Sequence, residues 1–227
     1  MTQKQLIELI QQHHPDSGET EIRLALNRAK DDFCAKTEII TSNWTQTSVA
    51  GQRYYSIDDM ILRIKDVQVN DVSIPRLIGK PVIDDDEFDG ATGLTAPTST
   101  SDERYWYVDG QRLGLVEKTN TTITREGKET NYQSIAVAKE IRITAISKDV
   151  DFTGDLTETG NIPSQFREAL AHKVISEFML RQGSTSFSPE LSEIFSAKYT
   201  VTVKDAKSYA RDGKINSGSA IIVPTDF

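Results

Sequence analysis

The chain has 227 residues, of which 37% are hydrophobic and 26% charged, with a net charge of −8. Such a composition describes a globular protein of one large or two small domains, able to bury roughly 70% of its unfolded surface. The acidic balance argues against tight phosphate binding by the chain as a whole, no apolar run approaches the roughly 20 residues of a membrane span, and Met1-Thr2-Gln3-Lys4-Gln5 is too polar to open a signal peptide.

Leu6, Ile7, Leu9 and Ile10 mark a short first helix that ends near His13-His14-Pro15. Asp16-Ser17-Gly18 reads as a turn. From Glu19 a second helix carries Ile22, Ala25, Leu26, Ala29 and Phe33 on one face and charges on the other. Neither helix has enough apolar surface to stand alone, so both need partners. Cys34, the single cysteine, excludes an internal disulfide; beside Phe33 it reads as a packed thiol, and a reducing cytoplasm suits it.

After Glu38 the period changes. Ile39-Ile40-Thr41, Tyr54-Tyr55-Ser56-Ile57 and residues 61–69 read as strands, and Asn70-Asp71 turns the chain into Val72-Ser73-Ile74. The clearest hairpin is Arg104-Tyr105-Trp106-Tyr107-Val108, an Asp109-Gly110 turn, and Arg112-Leu113-Gly114-Leu115. Thr121 to Thr124 and Ile141 to Ile146 are further strands, while Ile135 to Ala138 is ambiguous. Residues 84–103 combine an acidic cluster with a Thr/Ser/Pro/Gly stretch, which predicts a long mobile loop.

Asn161-Ile162-Pro163-Ser164 then opens a helix with Phe166, Leu170, Val174 and Phe178 every four residues, flanked by Ala171, Ile175 and Met179, and Gly183 as its stop. Pro189 starts another, with Leu191, Phe195, Tyr199, Val203, Ala206 and Ala210 at spacings of three and four. The short polar loop between them predicts an antiparallel pair. The fold class expected is α+β: N- and C-terminal helices (residues 1–37 and 162–211) form one helical bundle, from which an inserted antiparallel β domain (38–161) projects. Residues 212–227 form an extended C-terminal tail whose apolar segment, Ala220-Ile221-Ile222-Val223-Pro224, is wasted in solvent and is expected to dock.

No catalytic constellation holds. His13, His14 and His172 lack metal-helix spacing, there is no nucleophile elbow, and Gly127-Lys128 is followed by Glu129 rather than Ser or Thr. Asp85-Asp86-Glu87-Phe88-Asp89-Gly90 starts like a calcium loop but places Ala96 where the bidentate carboxylate belongs, and Asp149-Val150-Asp151-Phe152-Thr153-Gly154 fails the same way at Gly160. Carboxylates of the 84–89 cluster lack an apolar pocket to separate their pKa values, as a hydrolase would need. No cofactor or metal is therefore expected. Tyr105, Trp106 and Tyr107 form either a core strand with one exposed ring or a platform for sugars or bases, as in a decoration or attachment module that binds sugar or a partner. Lys204, Lys207, Arg211 and Lys214 form a basic helical stripe, either a solvated face favoured by the helix dipole or a docking stripe for an acidic partner or phosphates.

Several stretches in fixed order resemble the head-to-tail adaptor (connector) proteins of tailed bacteriophages. They are Leu26-Asn27-Arg28-Ala29-Lys30-Asp31-Asp32-Phe33, Val49-Ala50-Gly51-Gln52-Arg53-Tyr54-Tyr55-Ser56-Ile57 leading to Leu62-Arg63-Ile64, Tyr107-Val108-Asp109-Gly110 with Leu113-Gly114-Leu115, and Ile162 to Leu170, followed by a Lys/Ala/Tyr-rich closing helix. The likeness spans roughly residues 5–211 and departs at Asp58, where the family often has proline, and in the long acidic loop. It implies a structural virion protein with no reaction, made in the host bacterial cytoplasm and placed at the neck. Copies would form a ring, usually a dodecamer, under the portal protein, extend the DNA channel without sequence-specific binding, and offer a platform to the tail or a second neck protein. It gives the tail a role too: Ile221, Ile222, Val223 and Phe227 would anchor on the portal beside Lys204, Lys207, Arg211 and Lys214.

Overall fold

A computed structural model describes residues 1–79, 81, 103–124, 127–135, 138–181 and 186–217, with the backbone alone described for 119–124, 127–131 and 213–217. The class is α+β, with four helices and antiparallel sheets among the described residues. The chain divides into two compact units, Met1–Thr41 with Ile146–Phe227, and Ser42–Ala145.

In the first unit, α1 (Gln3–His13) is fixed at its start by a capping box. The Gln5 amide donates to Thr2 Oγ1 at 3.4 Å, and the Thr2 amide donates to Gln5 Oε1 at 2.9 Å. Helix α2 (Glu19–Thr37) ends where Glu38 takes a left-handed φ of 55° and its amide bonds back to Cys34. A 3-10 turn, Ser164–Phe166, leads into α3 (Glu168–Met179). This helix stops four residues before the glycine expected to end it; Leu180 bonds back to Glu177, and the Met179 carbonyl accepts from Ser188. Ser188 also accepts from the Leu191 amide and so starts α4 (Pro189–Ser217), 29 residues and about 43 Å long.

The four helices share one core. Leu6, Ile10, Ile22, Leu26, Phe33, Leu170, Val174 and Phe178 are each at most 2% exposed, so the stripes of the first three helices meet as their periodicity predicts.

Residues 148–161, assigned from the sequence to the β insertion, pack on the helices instead, and Phe152 and Leu156 join the helical core. Backbone amides of Gln3 and Lys4 donate to the carbonyls of Glu158 and Leu156. Lys30 and Asp149, each 1% exposed, pair at 3.3 Å between α2 and this segment. The Lys30 ammonium also donates to the Val150 carbonyl and lies 3.9 Å from the centre of the Phe152 ring. Asp149 accepts from the Asn161 amide at 2.9 Å, closing the loop upon itself. Gly160 sits against it at φ +65°, where a Cβ would come within 2.5 Å of Asp149 Oδ2.

Among its described residues the second unit holds two four-stranded sheets. One has the order β1 (Thr41–Thr47), β8 (Glu140–Ser147), β3 (Ile61–Val69), β4 (Val72–Ser73). The other runs β2 (Tyr54–Ser56), β6 (Arg112–Thr124), β5 (Arg104–Asp109), with β7 (Gly127–Ser134) also paired to β6. Asn70 and Asp71, at φ 49° and 61°, make the tight turn between β3 and β4. The β5–β6 turn falls on Gly110-Gln111 rather than Asp109-Gly110, because Asp109 pairs with Arg112. Glycine at its first position supplies the positive φ, 61°. Ile64, Val67, Ile141 and Ile143 of the first sheet and Trp106, Leu113 and Leu115 of the second bury into one core. Gly114 lies opposite Tyr107, whose ring occupies the space a Cβ would fill, 2.3 Å from Cζ.

Candidate partner-docking face

Helix α4 carries side chains of different kinds around its circumference. Tyr199, Ala206 and Ala210 are buried, and Phe195 and Val203 pack partly against the core. Tyr199 donates from its hydroxyl to Asp32 Oδ2 at 2.7 Å, which also accepts from Lys36 at 2.7 Å. Burial works against the Asp32 carboxylate, but these two bonds together with the charges of Lys36 and Lys173 outweigh it and hold Asp32 below the usual carboxylate range. Burial, then the bond to Asp32, pushes the Tyr199 phenol up.

Leu191, expected in the core stripe, is 47% exposed. The inward place in that first turn belongs to Ser192, whose hydroxyl donates to the Ser176 carbonyl at 2.8 Å. Ile194 and Val201, outside the expected stripe, are also exposed. Lys204, Lys207 and Arg211 all reach solvent from the second half of the helix. Lys214 belongs to the helix but its side chain is not among those described, and Ile221, Ile222, Val223 and Phe227 lie outside the described residues. Thus three of the eight residues expected to meet a partner are placed, on one exposed face.

The aromatic strand offers no open platform. Trp106 and Tyr107 are 3% and 0% exposed, and Tyr105 lies edge-on to Tyr132 with centroids 5.7 Å apart. Arg76 covers Trp106 from 5.1 Å. Asp149, the first residue of the second calcium-like run, is committed to Lys30. Among the described residues no group of three or more His, Cys, Asp or Glu can hold a metal ion; the 84–89 cluster lies outside them. Burial pushes the Cys34 thiol up to about 12, which keeps it protonated and unreactive. Among the described residues, no helix is long and apolar enough to cross a membrane.

One arrangement has no counterpart in the sequence reading. All three histidines converge where α1, α3 and α4 meet. His13 and His172 pack on Phe195 at 5.1 and 5.6 Å, and His14 packs on Phe178 at 5.5 Å. Burial lowers the pKa of both His14 and His172. Helical spacing alone places His13 and His14 near the end of α1; which helices close over them is a tertiary fact.

No curated protein matches the chain. The family model described as SU10 adaptor protein matches residues 1–216, which takes in both units and nearly all of α4. The chain belongs to this family, one of phage head-to-tail adaptors.

Proposed function

We propose that this adaptor assembles as a ring beneath the portal, extends the DNA channel and presents the platform on which the tail is built. Family membership supports a virion role between portal and tail components and a structural rather than enzymatic one. The observation that carries the finer reading is the second half of α4. Lys204, Lys207 and Arg211 stand exposed at spacings of three and four and lead toward the apolar segment Ile221-Ile222-Val223 and Phe227. Exposed cations followed by an apolar anchor suit a portal surface with acidic groups and a groove or sheet edge. Copy number follows the portal, twelve in the usual case. The net charge of −8 suits a channel through which DNA slides without being held.

Sedimentation of the chain with the portal ring encoded by the same genome tests this. The intact chain is expected to join the portal in a large complex, and a version ending at Arg211 is expected to stay behind. If neither associates, the chain does not act under the portal.

A further inference from the structure

We propose that the exposed face of α4 is self-complementary, and that two copies of the chain pair antiparallel through it before the portal is met. Glu190, Glu193, Ala197, Thr200, Lys204 and Lys207 follow one another at three, four, three, four and three residues, which places them on one helical face. All six are exposed. The series is symmetric in spacing and opposite in charge about its middle. Glu190 lies as far before the point between Lys198 and Tyr199 as Lys207 lies after it, and Glu193 and Lys204 are related in the same way.

Laid against a second copy running the other way, Glu193 of each helix meets Lys204 of the other, and Glu190 comes within reach of Lys207. Two-fold symmetry makes every such contact twice. The crossing point carries Ser196, Ala197 and Thr200, small enough for two helices to approach closely. Ile194 and Val201, 52% and 57% exposed, flank the charged row seven residues apart and would cover one another across the pair. Leu180, Pro189, Ser196, Ala197, Thr200 and Val201 line a shallow, open depression along this face. Within one chain none of the four charged residues forms an ion pair with another described residue. A parallel pairing would set like charges side by side, so the pattern selects antiparallel.

The pairing covers Lys204 and Lys207, so on the adaptor reading it competes with portal binding and holds the free protein in a form that does not polymerise. That consequence rests on the adaptor reading; the pairing itself does not.

Sedimentation velocity of the 227-residue chain over a range of concentrations and salt tests the pairing. A monomer–dimer equilibrium is expected, weakened by salt. Glu193→Lys or Lys204→Glu alone should weaken the dimer by about tenfold or more, since each change opposes like charges at two sites. Both together in one chain restore the opposite charges and should restore the dimer. As these positions are exposed, helicity should stay unchanged throughout. A chain that is monomeric at every concentration, or a dimer that neither single reversal weakens, overturns the pairing. Adding the portal ring separates the two ideas. A monomer that joins the portal removes the pairing and leaves the adaptor reading intact, whereas a charge-sensitive dimer that never joins it does the reverse.

Discussion

At the scale of single residues, the most exacting contact is the one between Lys30 and Asp149. Two charges that are each 1% exposed are tolerated because each has its remaining capacity filled, Lys30 by the Val150 carbonyl and the Phe152 ring, Asp149 by the Asn161 and Val150 amides. Removing one partner leaves the other buried and uncompensated. Lys30→Met is therefore expected to cost about 3–5 kcal/mol in denaturant unfolding. Asp149→Asn should also destabilise, and the double variant should lose less than the two singles added together. Strict additivity would show that the two charges do not depend on each other. Nothing in the sequence announces this pair. Lys30 reads as one of the polar positions of α2 and Asp149 as the head of a failed calcium loop, since neither period nor motif records that residues 148–161 fold back over α2.

Among the secondary-structure elements, the joint of α1, α3 and α4 carries a pH dependence. His14 faces His13 on its own helix and Arg181 just beyond α3; His172 faces Glu168 on α3, Lys198 on α4 and His13 on α1. Both folded-state pKa values lie below the ordinary 6.5, chiefly through burial, so the unfolded chain takes up protons first as pH falls. Their contribution to stability is then complete above pH 6.5 and is lost progressively below it. Thermal unfolding should show a melting temperature that falls between pH 7 and pH 5, and a His14→Asn, His172→Gln variant should fall less steeply. An unchanged slope would place the acid sensitivity elsewhere. These elements also show how far periodicity reads. The stripe of α3 is legible because seven of its eight buried positions are apolar; the eighth, Ser176, satisfies its hydroxyl on the Lys173 carbonyl. On α4 the same rule misplaced Leu191 and missed Ile194 and Val201, because a long helix with one buried face can carry a second apolar row for another partner. Strand β7 escaped notice, for Gly127-Lys128-Glu129-Thr130-Asn131 lacks β-branched alternation and is a strand by virtue of its pairing with β6. The cations of α4 were legible as a stripe, but their symmetry with Glu190 and Glu193 acquires meaning only once that face is known to be exposed.

For the molecule as a whole, the division into two units makes a prediction about cooperativity. The helical core and the core between the two sheets are separate clusters of buried residues, each built from side chains of its own unit. Domains that fold around separate cores tend to unfold as separate cooperative units, and a single two-state description then fails. Two substitutions with local causes can address each core by itself. Lys30→Met acts within the helical unit through the buried pair. Gly114→Ala acts within the β unit, where the added methyl collides with the Tyr107 ring opposite it, an overpacking that costs about 1–3 kcal/mol. Scanning calorimetry of the intact chain should therefore resolve two transitions. Lys30→Met should lower one by about ten degrees and Gly114→Ala the other by several degrees, each leaving the remaining transition in place. If instead both substitutions move one shared transition, the two cores are energetically one, and the insertion depends for its stability on the helices that flank it in sequence.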